Sequence, residues 1–428
     1  MGGGLIQLVA YGAQDIYLTG QPQITFFKTV YRRHTNFAVE SIQQSVQGRL
    51  SFGSQVSFVV SRNADLLKKL WIQYNPRDLL GGVAGYNVAA NIGHALIDQV
   101  EILIGGQTID KQYGKWLTIW NYLTDCNNEG TQGPIDDNCY GPGEQSSPTG
   151  DNAYNQYLTR PTKYNRMSYN HRAYDSVVTD ATGAPLYAYI PLQFWFCRNP
   201  GLAIPLIALQ YHEVRVNLIF GPYNGITNAP TPTGNEFSNF SVYADYIYLD
   251  TTERRQFAQN AHEYLIDQLQ LNSNNTYPVT NLTFIHPIKE LIWAKPPVVP
   301  VSSSELGGSS SPAGSFYTTT TSQPNNYKLI LNGTDRFTER DITYFTRNQV
   351  WDYHTGFGSV LYPDSIAVYS FAIKPEEHQP SGTCNFSRLD TAQLARTNTN
   401  PVDVIDIYAI NYNVLRIMSG MGGLAYSN

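Results

Sequence analysis

Three short stretches of the sequence place histidine beside glutamate, the pairing that metal binding and acid–base catalysis use. His212-Glu213 and His262-Glu263 begin like the HExxH motif of zinc proteases, but neither has a second histidine four positions after the first. The stretch Glu376–His378 resembles an acid–base pair, yet Pro375 and Pro380 bracket it as a loop. We therefore expect a polar loop there and no metal or catalytic site at any of the three.

Motifs for phosphate binding and nucleophilic catalysis are also missing. The single Gly-Lys pair, Gly114-Lys115, is followed by Trp116, where a phosphate-binding loop needs serine or threonine. The sequence contains no GxSxG nucleophile elbow. The scattered histidines are expected to be structural or solvated: His171, His286, His354 and His378. We predict that the protein is not an enzyme and uses no cofactor.

Cysteines and glycosylation sequons are the remaining candidates for covalent chemistry. Cys126 and Cys139 share one long loop, so a loop-closing disulfide is an alternative to four reduced thiols. Sequons for N-glycosylation are as numerous as chance gives in this asparagine-rich chain, and one, at Asn332, falls in a tight hairpin. The N-terminus lacks the pattern of a secretory signal peptide, so we expect synthesis in the cytosol. Four sequons stay open as glycan sites: Asn239, Asn274, Asn281 and Asn385.

Composition excludes several functional classes. The 428 residues carry 28 basic and 34 acidic side chains, a net charge of −6, so no global positive field favours nucleic acid. No apolar run approaches the roughly 18 residues that a membrane helix needs. Only 14% of residues are charged while 13% are aromatic. A surface so poor in charge is expected to be covered by partners.

One local cluster departs from the acidic average. Lys28, Arg32, Arg33 and His34 stand among aromatic residues near the N-terminus. This cluster could contact anionic lipid or acidic proteins. Alternatively, it belongs to a structural arm whose aromatic side chains pack beneath the first domain and whose arginines pair with carboxylates. The two interpretations are compatible with each other.

Alternation of apolar and polar residues dominates the chain and predicts β-strands. In Val214–Phe220 the apolar residues fall on every second position, as in a strand with one buried face. Helices are predicted only at Lys115–Leu123 and Glu253–Gln259, the second capped by Thr251 or Thr252. The other strands are predicted at Val56–Val60, Leu70–Tyr74, Leu96–Ile104, Leu186–Phe196, Val242–Leu249, Leu291–Ala294, Lys328–Leu331, Ser365–Ile373 and Val402–Ile410.

An internal repeat organises these strands. Val100–Thr108 reads as two strands joined by a Gly-Gly turn, and Tyr327–Thr334 repeats that design 227 residues later with Asn-Gly at the turn. At the same offset, Phe37–Gln43 matches Tyr264–Gln270 in its aromatic, aliphatic, acidic and glutamine positions. Weaker matches join Leu70-Trp71 to Ile292-Trp293, and Asp245–Tyr248 to Asp406–Tyr408. A repeat of this length indicates a duplicated β-domain.

The repeat sets the domain boundaries that we predict. Residues 1–25 form an N-terminal arm, 26–251 the first domain, 252–261 a helical linker and 262–428 the second domain. Two insertions, 125–184 in the first domain and 297–326 in the second, far exceed the usual loop length of about 4–6 residues. Such loops are typically functional surface or disordered segments.

Several long stretches resemble the major capsid proteins of nucleocytoplasmic large DNA viruses, most closely those of algal phycodnaviruses. The matching stretches are Tyr17–Arg33, Pro200–Val214, Tyr246–Asp250, His262–Ile266, Gln379–Ser387 and Asn411–Tyr426. The resemblance implies an all-β double jelly roll: two consecutive eight-stranded antiparallel β-sandwiches with short connecting helices. Three chains would then form a pseudo-hexagonal capsomer, and capsomers would tile an icosahedral shell.

The resemblance also implies partners and a location. The arm would lie at the base of the shell, near minor capsid proteins and the internal viral membrane, and the basic cluster would face the interior. The long loops, 125–184 among them, would form the outer tower and could carry surface glycans attached outside the sequon rule. We expect a virion protein assembled in the host cytoplasm.

A carbohydrate-binding jelly roll is the alternative function. Its loops would display aromatic side chains to host surface glycans, and the insertion 125–184 supplies several tyrosines for that purpose: Tyr140, Tyr154, Tyr157, Tyr164 and Tyr169. A glycoside hydrolase has only the fold in its favour, and a fold does not imply a function.

Overall fold

In a computed structural model of the chain, the described residues are 3–10, 12–76, 92–125, 163–168, 187–223, 226, 239–275, 278–294, 326–356, 358, 366–397 and 404–426. They fall into two compact units, Met1–Phe37 and Ala38–Asn428. The first unit contains helices α1 (Gly3–Val9) and α2 (Ile16–Thr19), with a 3₁₀ turn at Ala13–Asp15 between them. The second unit contains two β-sandwiches.

The first sandwich consists of two facing sheets. One has the strand order β1-β10-β4-β7, with β8 added beside β4, and the other has the order β2-β3-β9-β5-β6. The strands are β1 (Phe37–Gln44), β2 (Gln47–Gly48), β3 (Gln55–Val59), β4 (Leu66–Tyr74), β5 (Ile97–Ile104), β6 (Gln107–Tyr113), β7 (Ala188–Pro191), β8 (Ile204–Pro205), β9 (Val214–Phe220) and β10 (Phe240–Leu249).

The second sandwich repeats this plan. One sheet has the order β11-β20-β13-β17, with β18 beside β13 and β21 beside β20, and the other has β12-β19-β14-β15, with β16 beside β14. The strands are β11 (His262–Asn275), β12 (Val279–Asn281), β13 (Pro287–Ala294), β14 (Asn326–Leu331), β15 (Thr334–Asp335), β16 (Arg340–Asp341), β17 (Ile366–Ser370), β18 (Cys384–Asn385), β19 (Ala392–Thr397), β20 (Ile405–Met418) and β21 (Met421–Leu424).

Strand order confirms the duplication and the double jelly-roll fold. β1, β10, β4 and β7 occupy the same sheet positions as β11, β20, β13 and β17, and β3, β9 and β5 the same as β12, β19 and β14. With β6 added to the first set and β15 to the second, each sandwich has eight principal strands among the described residues. Both members of each strong sequence match therefore stand at equivalent places in the two sandwiches.

Both predicted hairpins have the backbone that their turn residues favour. Gly105 and Gly106 have φ of 59° and 85°, and Asn332 and Gly333 have φ of 50° and 75°, as a type I′ turn requires. Gly105 is needed for a second reason, because a Cβ there would overlap the ring of His212.

Helices connect the strands and do not form a layer of their own. They are α3 (Ile92–Leu96), α4 (Gly114–Thr124), α5 (Lys163–Ser168), α6 (Trp195–Arg198), α7 (Thr251–Gln259) and α8 (Gln349–Tyr353), with 3₁₀ turns at Pro200–Leu202 and Phe386–Arg388 and a π-helix at Tyr344–Asn348. No helix in this described part of the chain is long and apolar enough to cross a membrane.

Two local predictions were wrong. Helix α7 begins at Thr251 and its N-cap is Asp250, whose side chain makes no capping hydrogen bond, so neither Thr251 nor Thr252 is the cap. The predicted strand Leu186–Phe196 ends at Pro191, and Trp195 and Phe196 lie in helix α6. Both of these aromatic side chains are buried, and a continuous apolar run does not distinguish a strand from a buried helical turn.

Candidate functional site

The two sandwiches share a buried apolar interface. Alternate residues of strands β13 and β20 point to opposite sides. Leu291, Trp293, Ile407 and Ala409 pack in the core of the second sandwich. Ile292, Ala294, Tyr408 and Ile410 join the core cluster of the first sandwich instead. The sheet β11-β20-β13-β17 is therefore covered on both faces, and we call its outer contact the inter-sandwich interface.

Helix α4 of the first sandwich lies on this interface. Its Trp116 ring lies 5.4 Å from the Tyr408 ring, and its Trp120 ring meets His354 edge-on at 6.5 Å. The last carbonyls of α4 accept hydrogen bonds from the second sandwich, with Gly356 donating to Leu123 at 2.7 Å. Those carbonyls would otherwise be unsatisfied at the helix end, so the contact stabilises the helix and the interface together.

Buried charges cross the same interface. The Asp267 carboxylate on β11 accepts hydrogen bonds from Lys289 Nζ at 3.0 Å and from Arg198 of the first sandwich at 3.1 Å. The Lys289 side chain is only 1% exposed. The Arg198 guanidinium also lies 5.0 Å from the Trp120 ring centroid. Asp267 thus neutralises one cation from each sandwich.

Asp110 on β6 makes a second polar connection between the sandwiches. Its carboxylate accepts the backbone N–H of Leu269 at 3.1 Å, and Gln268 donates to the Ile109 carbonyl. Burial raises the pKa of Asp110 to about 6, and hydrogen bonds from Leu269 and Gln112 oppose that rise. At Leu269, the edge strand β11 therefore has a backbone N–H that is paired with a side chain of the first sandwich.

His354 is held between two glutamates. Its Nε2 lies 3.1 Å from Glu290 and its Nδ1 lies 3.0 Å from Glu376. Burial by itself lowers the pKa of His354, but the two carboxylates outweigh burial and raise the pKa to about 9. The side chains of His354 and Glu290 are fully buried, so this group can stabilise charge but offers no surface to a substrate.

Glu376–His378 lies in a loop of turns and bends, as the sequence predicts, and the structure adds a role for one of its carboxylates. Glu376 is a partner of buried His354, whereas Glu377 forms an exposed ion pair with Lys374 at 2.8 Å. Lys289 and Glu290 are two further buried charges that the sequence interpretation did not include. Their signal was present, because two consecutive charged residues interrupt a strand that is otherwise apolar, and buried charges of that kind require partners.

The basic cluster lies in the N-terminal unit and is exposed. Lys28, Arg32, Arg33 and His34 form no ion pair with any residue that the structure describes, and His34 Nδ1 is 2.7 Å from the Thr35 carbonyl. The unit also exposes many large apolar side chains, among them Leu8, Tyr17, Leu18, Phe26, Val30, Tyr31 and, at 97%, Phe27. Contiguous apolar exposure of this extent is typical of a segment that binds a partner.

The covalent candidates are distributed as follows. Cys126 and Cys139 lie outside the described residues, whereas Cys197 and Cys384 are free thiols. Burial raises the pKa of Cys197 to about 12, which makes it unreactive. Asn239, Asn281 and Asn385 are exposed, and Asn274 is the last residue but one of strand β11. Asn332 accepts hydrogen bonds from the backbone of Asp390 and Thr391.

The tyrosines of the carbohydrate alternative are not brought together on a described surface. Tyr164 is buried, stacks on His94 with a ring separation of 5.1 Å, and its hydroxyl is 2.6 Å from His94 Nε2. Tyr140, Tyr154, Tyr157 and Tyr169 lie outside the described residues. Across the described ranges, no group of three or more metal-ligating side chains is found.

Comparison with known proteins agrees with this architecture. Residues 25–250 match the family model of the major capsid protein N-terminus, and residues 253–423 match that of the large eukaryotic DNA virus major capsid protein. The major capsid protein of Pyramimonas orientalis virus is 45% identical, and that of Paramecium bursaria Chlorella virus 1 is 40% identical, each over the full length of both chains. No carbohydrate-binding protein is among these relatives.

A solved structure extends the similarity to the fold. The quasi-atomic model of the PBCV-1 virus capsid contains a chain that superposes with a TM-score of 0.73 at 34% identity, covering 94% of this chain and 100% of the other. These relatives are structural proteins, in agreement with the prediction that the protein is not an enzyme. The chain belongs to the family of major capsid proteins of large eukaryotic DNA viruses.

Proposed function

We propose that this protein is the subunit of an icosahedral virion shell, and that three copies associate into a pseudo-hexagonal capsomer. The supporting observation is the shared strand order of the two sandwiches, because a ring of three such chains presents six similar units. Hexagonal blocks pack in a plane without gaps, which suits a subunit that tiles the faces of a shell. The proposed domain boundaries remain 1–25, 26–251, 252–261 and 262–428.

The N-terminal arm is the proposed contact with other shell components. Its exposed apolar residues and its basic cluster, Lys28, Arg32, Arg33 and His34, fit acidic minor capsid proteins or the anionic surface of an internal membrane. Assembly would take place in the host cytoplasm. The same proposal includes surface glycans, with the four open sequons as candidate sites, and a disulfide between Cys126 and Cys139.

Native mass spectrometry of the purified protein tests the capsomer. We expect a species of three times 47.9 kDa that persists at micromolar concentration. A stable monomer under these conditions would refute the closed trimer. Intact-protein mass in the same experiment shows whether glycans are attached.

Charge reversal tests the role of the arm. The double variant Arg32→Glu and Arg33→Glu should still form trimers, because both side chains are exposed and the sandwiches do not depend on them. Shell assembly or membrane-vesicle binding should be lost. Lys374→Glu is the matched control, since Lys374 is an exposed cation in the second sandwich and should affect neither. Normal shells from the double variant would exclude this role of the cluster.

A further inference from the structure

The two equivalent sheets differ in one respect that the duplication does not explain. In β13 nearly every residue is buried, because its sheet has the first sandwich on its outer face. In β4 burial alternates: Leu70, Ile72 and Tyr74 are buried, whereas Trp71 and Gln73 are partly exposed. Within the described part of Ala38–Asn428, the outer face of the sheet β1-β10-β4-β7 is therefore only partly covered around Trp71 and Gln73, although its counterpart is fully covered.

This open face carries an aromatic cluster. The Trp71 ring stacks on Tyr243 with centroids 4.3 Å apart and meets Tyr189 edge-on at 5.3 Å, and Trp71 Nε1 donates to Asp245 at 3.0 Å. The cluster is thus held together by contacts within one chain. Clusters of tyrosine and tryptophan with fixed geometry are the usual anchors of protein interfaces.

The aromatic cluster occupies the same position on its sheet as the inter-sandwich interface occupies on the sheet β11-β20-β13-β17. Trp71 and Tyr243 are cross-strand partners on β4 and β10, as Ile292 and Tyr408 are on β13 and β20. Tyr408 is the residue on which Trp116 of α4 packs. The open face therefore presents an aromatic platform at the place where the covered face receives a helix.

The second sandwich has the matching helix. In the first sandwich, α4 follows the Gly105-Gly106 hairpin and β6; in the second, the helical segment Tyr344–Tyr353 follows the Asn332-Gly333 hairpin and β16. Phe345 anchors that segment in the core of its own sandwich and Val350 packs into the inter-sandwich interface, while Trp351 is 84% exposed. Trp351 thus presents a large aromatic side chain on the exposed side of a half-buried helix, where a second chain can reach it.

We infer that the outer face bearing Trp71, Tyr189 and Tyr243 binds the helical segment Tyr344–Tyr353 of a second copy of this chain. The contact reproduces between chains the inter-sandwich interface that exists within one chain. It is heterologous, with one chain's helix on the next chain's sheet, so its repetition either closes into a ring or continues as a filament. The inference rests on the proposed trimer and specifies the surfaces that form it.

Crosslinking tests which surfaces meet. The double variant Tyr243→Cys and Trp351→Cys, treated with a short bis-maleimide, should give covalent dimers and trimers that neither single variant gives. The matched control is Ser57→Cys with Trp351→Cys, because Ser57 lies on the opposite sheet of the first sandwich. The inference is overturned if only the control variant crosslinks, or if neither double variant crosslinks while the trimer is intact. Both results leave the proposed trimer standing.

A substitution that shortens the Trp351 side chain measures the contribution of the helix without relying on crosslinks. Trp351→Ala should weaken trimer association at least tenfold while the melting temperature of the dissociated chain stays unchanged, because the side chain is exposed. Ile373→Ala, at an exposed apolar residue of the same sandwich, should leave association unchanged. Equal association of both variants and the wild type refutes the inference. A wild-type chain that never trimerises refutes the proposed function itself.

Discussion

Removing the Asp267 carboxylate should destabilise the protein severely, because a buried cation is then left without its partner. Lys289 is 1% exposed and Asp267 9% exposed, so neither charge is hydrated in the folded state. Breaking a buried pair by deleting one partner costs about 3–5 kcal/mol, mostly the desolvation of the charge that remains. Asp267→Ala also releases Arg198, but that side chain is 23% exposed and can turn towards water. We therefore assign the loss mainly to Lys289.

Urea unfolding followed by tryptophan fluorescence measures this cost, and two further variants identify its cause. Adding Lys289→Met to Asp267→Ala removes the unpaired buried cation and should recover most of the lost stability. Lys374→Ala breaks an exposed pair of similar length, 2.8 Å with side chains 63% and 56% exposed, and should cost under about 1 kcal/mol. Equal losses for Asp267→Ala and Lys374→Ala, or no recovery in the double variant, would refute the reasoning.

Three other predictions use the same unfolding assay or thiol labelling. Because the pKa of His354 is raised from 6.5 to about 9, its protonated form stabilises the fold below pH 6.5; the wild type should lose stability between pH 6.5 and 9, and His354→Gln should lack this loss. Gly105→Ala should cost more than Gly106→Ala, because both have positive φ but only the first collides with His212; equal costs would contradict the close approach. Cys197, which is partly buried, should react with maleimide at pH 8 more slowly in the native protein than after unfolding, because its raised pKa keeps the thiol protonated; equal rates would contradict the raised pKa.

Much of the fold follows from local pattern. The strand Val214–Phe220 has the predicted bounds, because a half-buried strand alternates strictly and its neighbours β3 and β5 belong to the same sheet. The repeated hairpin was recognisable because Gly105-Gly106 and Asn332-Gly333 need the same backbone. Such signals depend on residues a few positions apart, which a single sequence displays directly.

The weaker match between Leu70-Trp71 and Ile292-Trp293 was wrong in register. Trp71 lies on the outer face of its sheet, whereas Trp293 packs in the core of the second sandwich beside Phe345, 5.1 Å away. Side chains alternate along a strand, so a slip of one residue exchanges the two faces. Similar residue types could not reveal which face each tryptophan occupies, since that depends on what covers the sheet.

The interface charges lay beyond prediction for a different reason. Asp267 meets Arg198 across 69 residues of sequence, and His354 meets Glu290 across 64. Each residue alone looks like an ordinary polar position in a loop or strand. The folding of the second sandwich brings His354 to Glu290. The packing of one sandwich on the other brings Asp267 to Arg198, and apolar residues such as Tyr408 and Trp116 set that packing.

A cryo-EM map of the assembled virion tests the central claim most directly, because it shows where this chain sits. The account predicts three copies in each ordinary capsomer, with the helical segment Tyr344–Tyr353 of one copy on the outer face of the sheet β1-β10-β4-β7 of the next. A shell whose ordinary capsomers are built from another chain, with this protein absent, would contradict it.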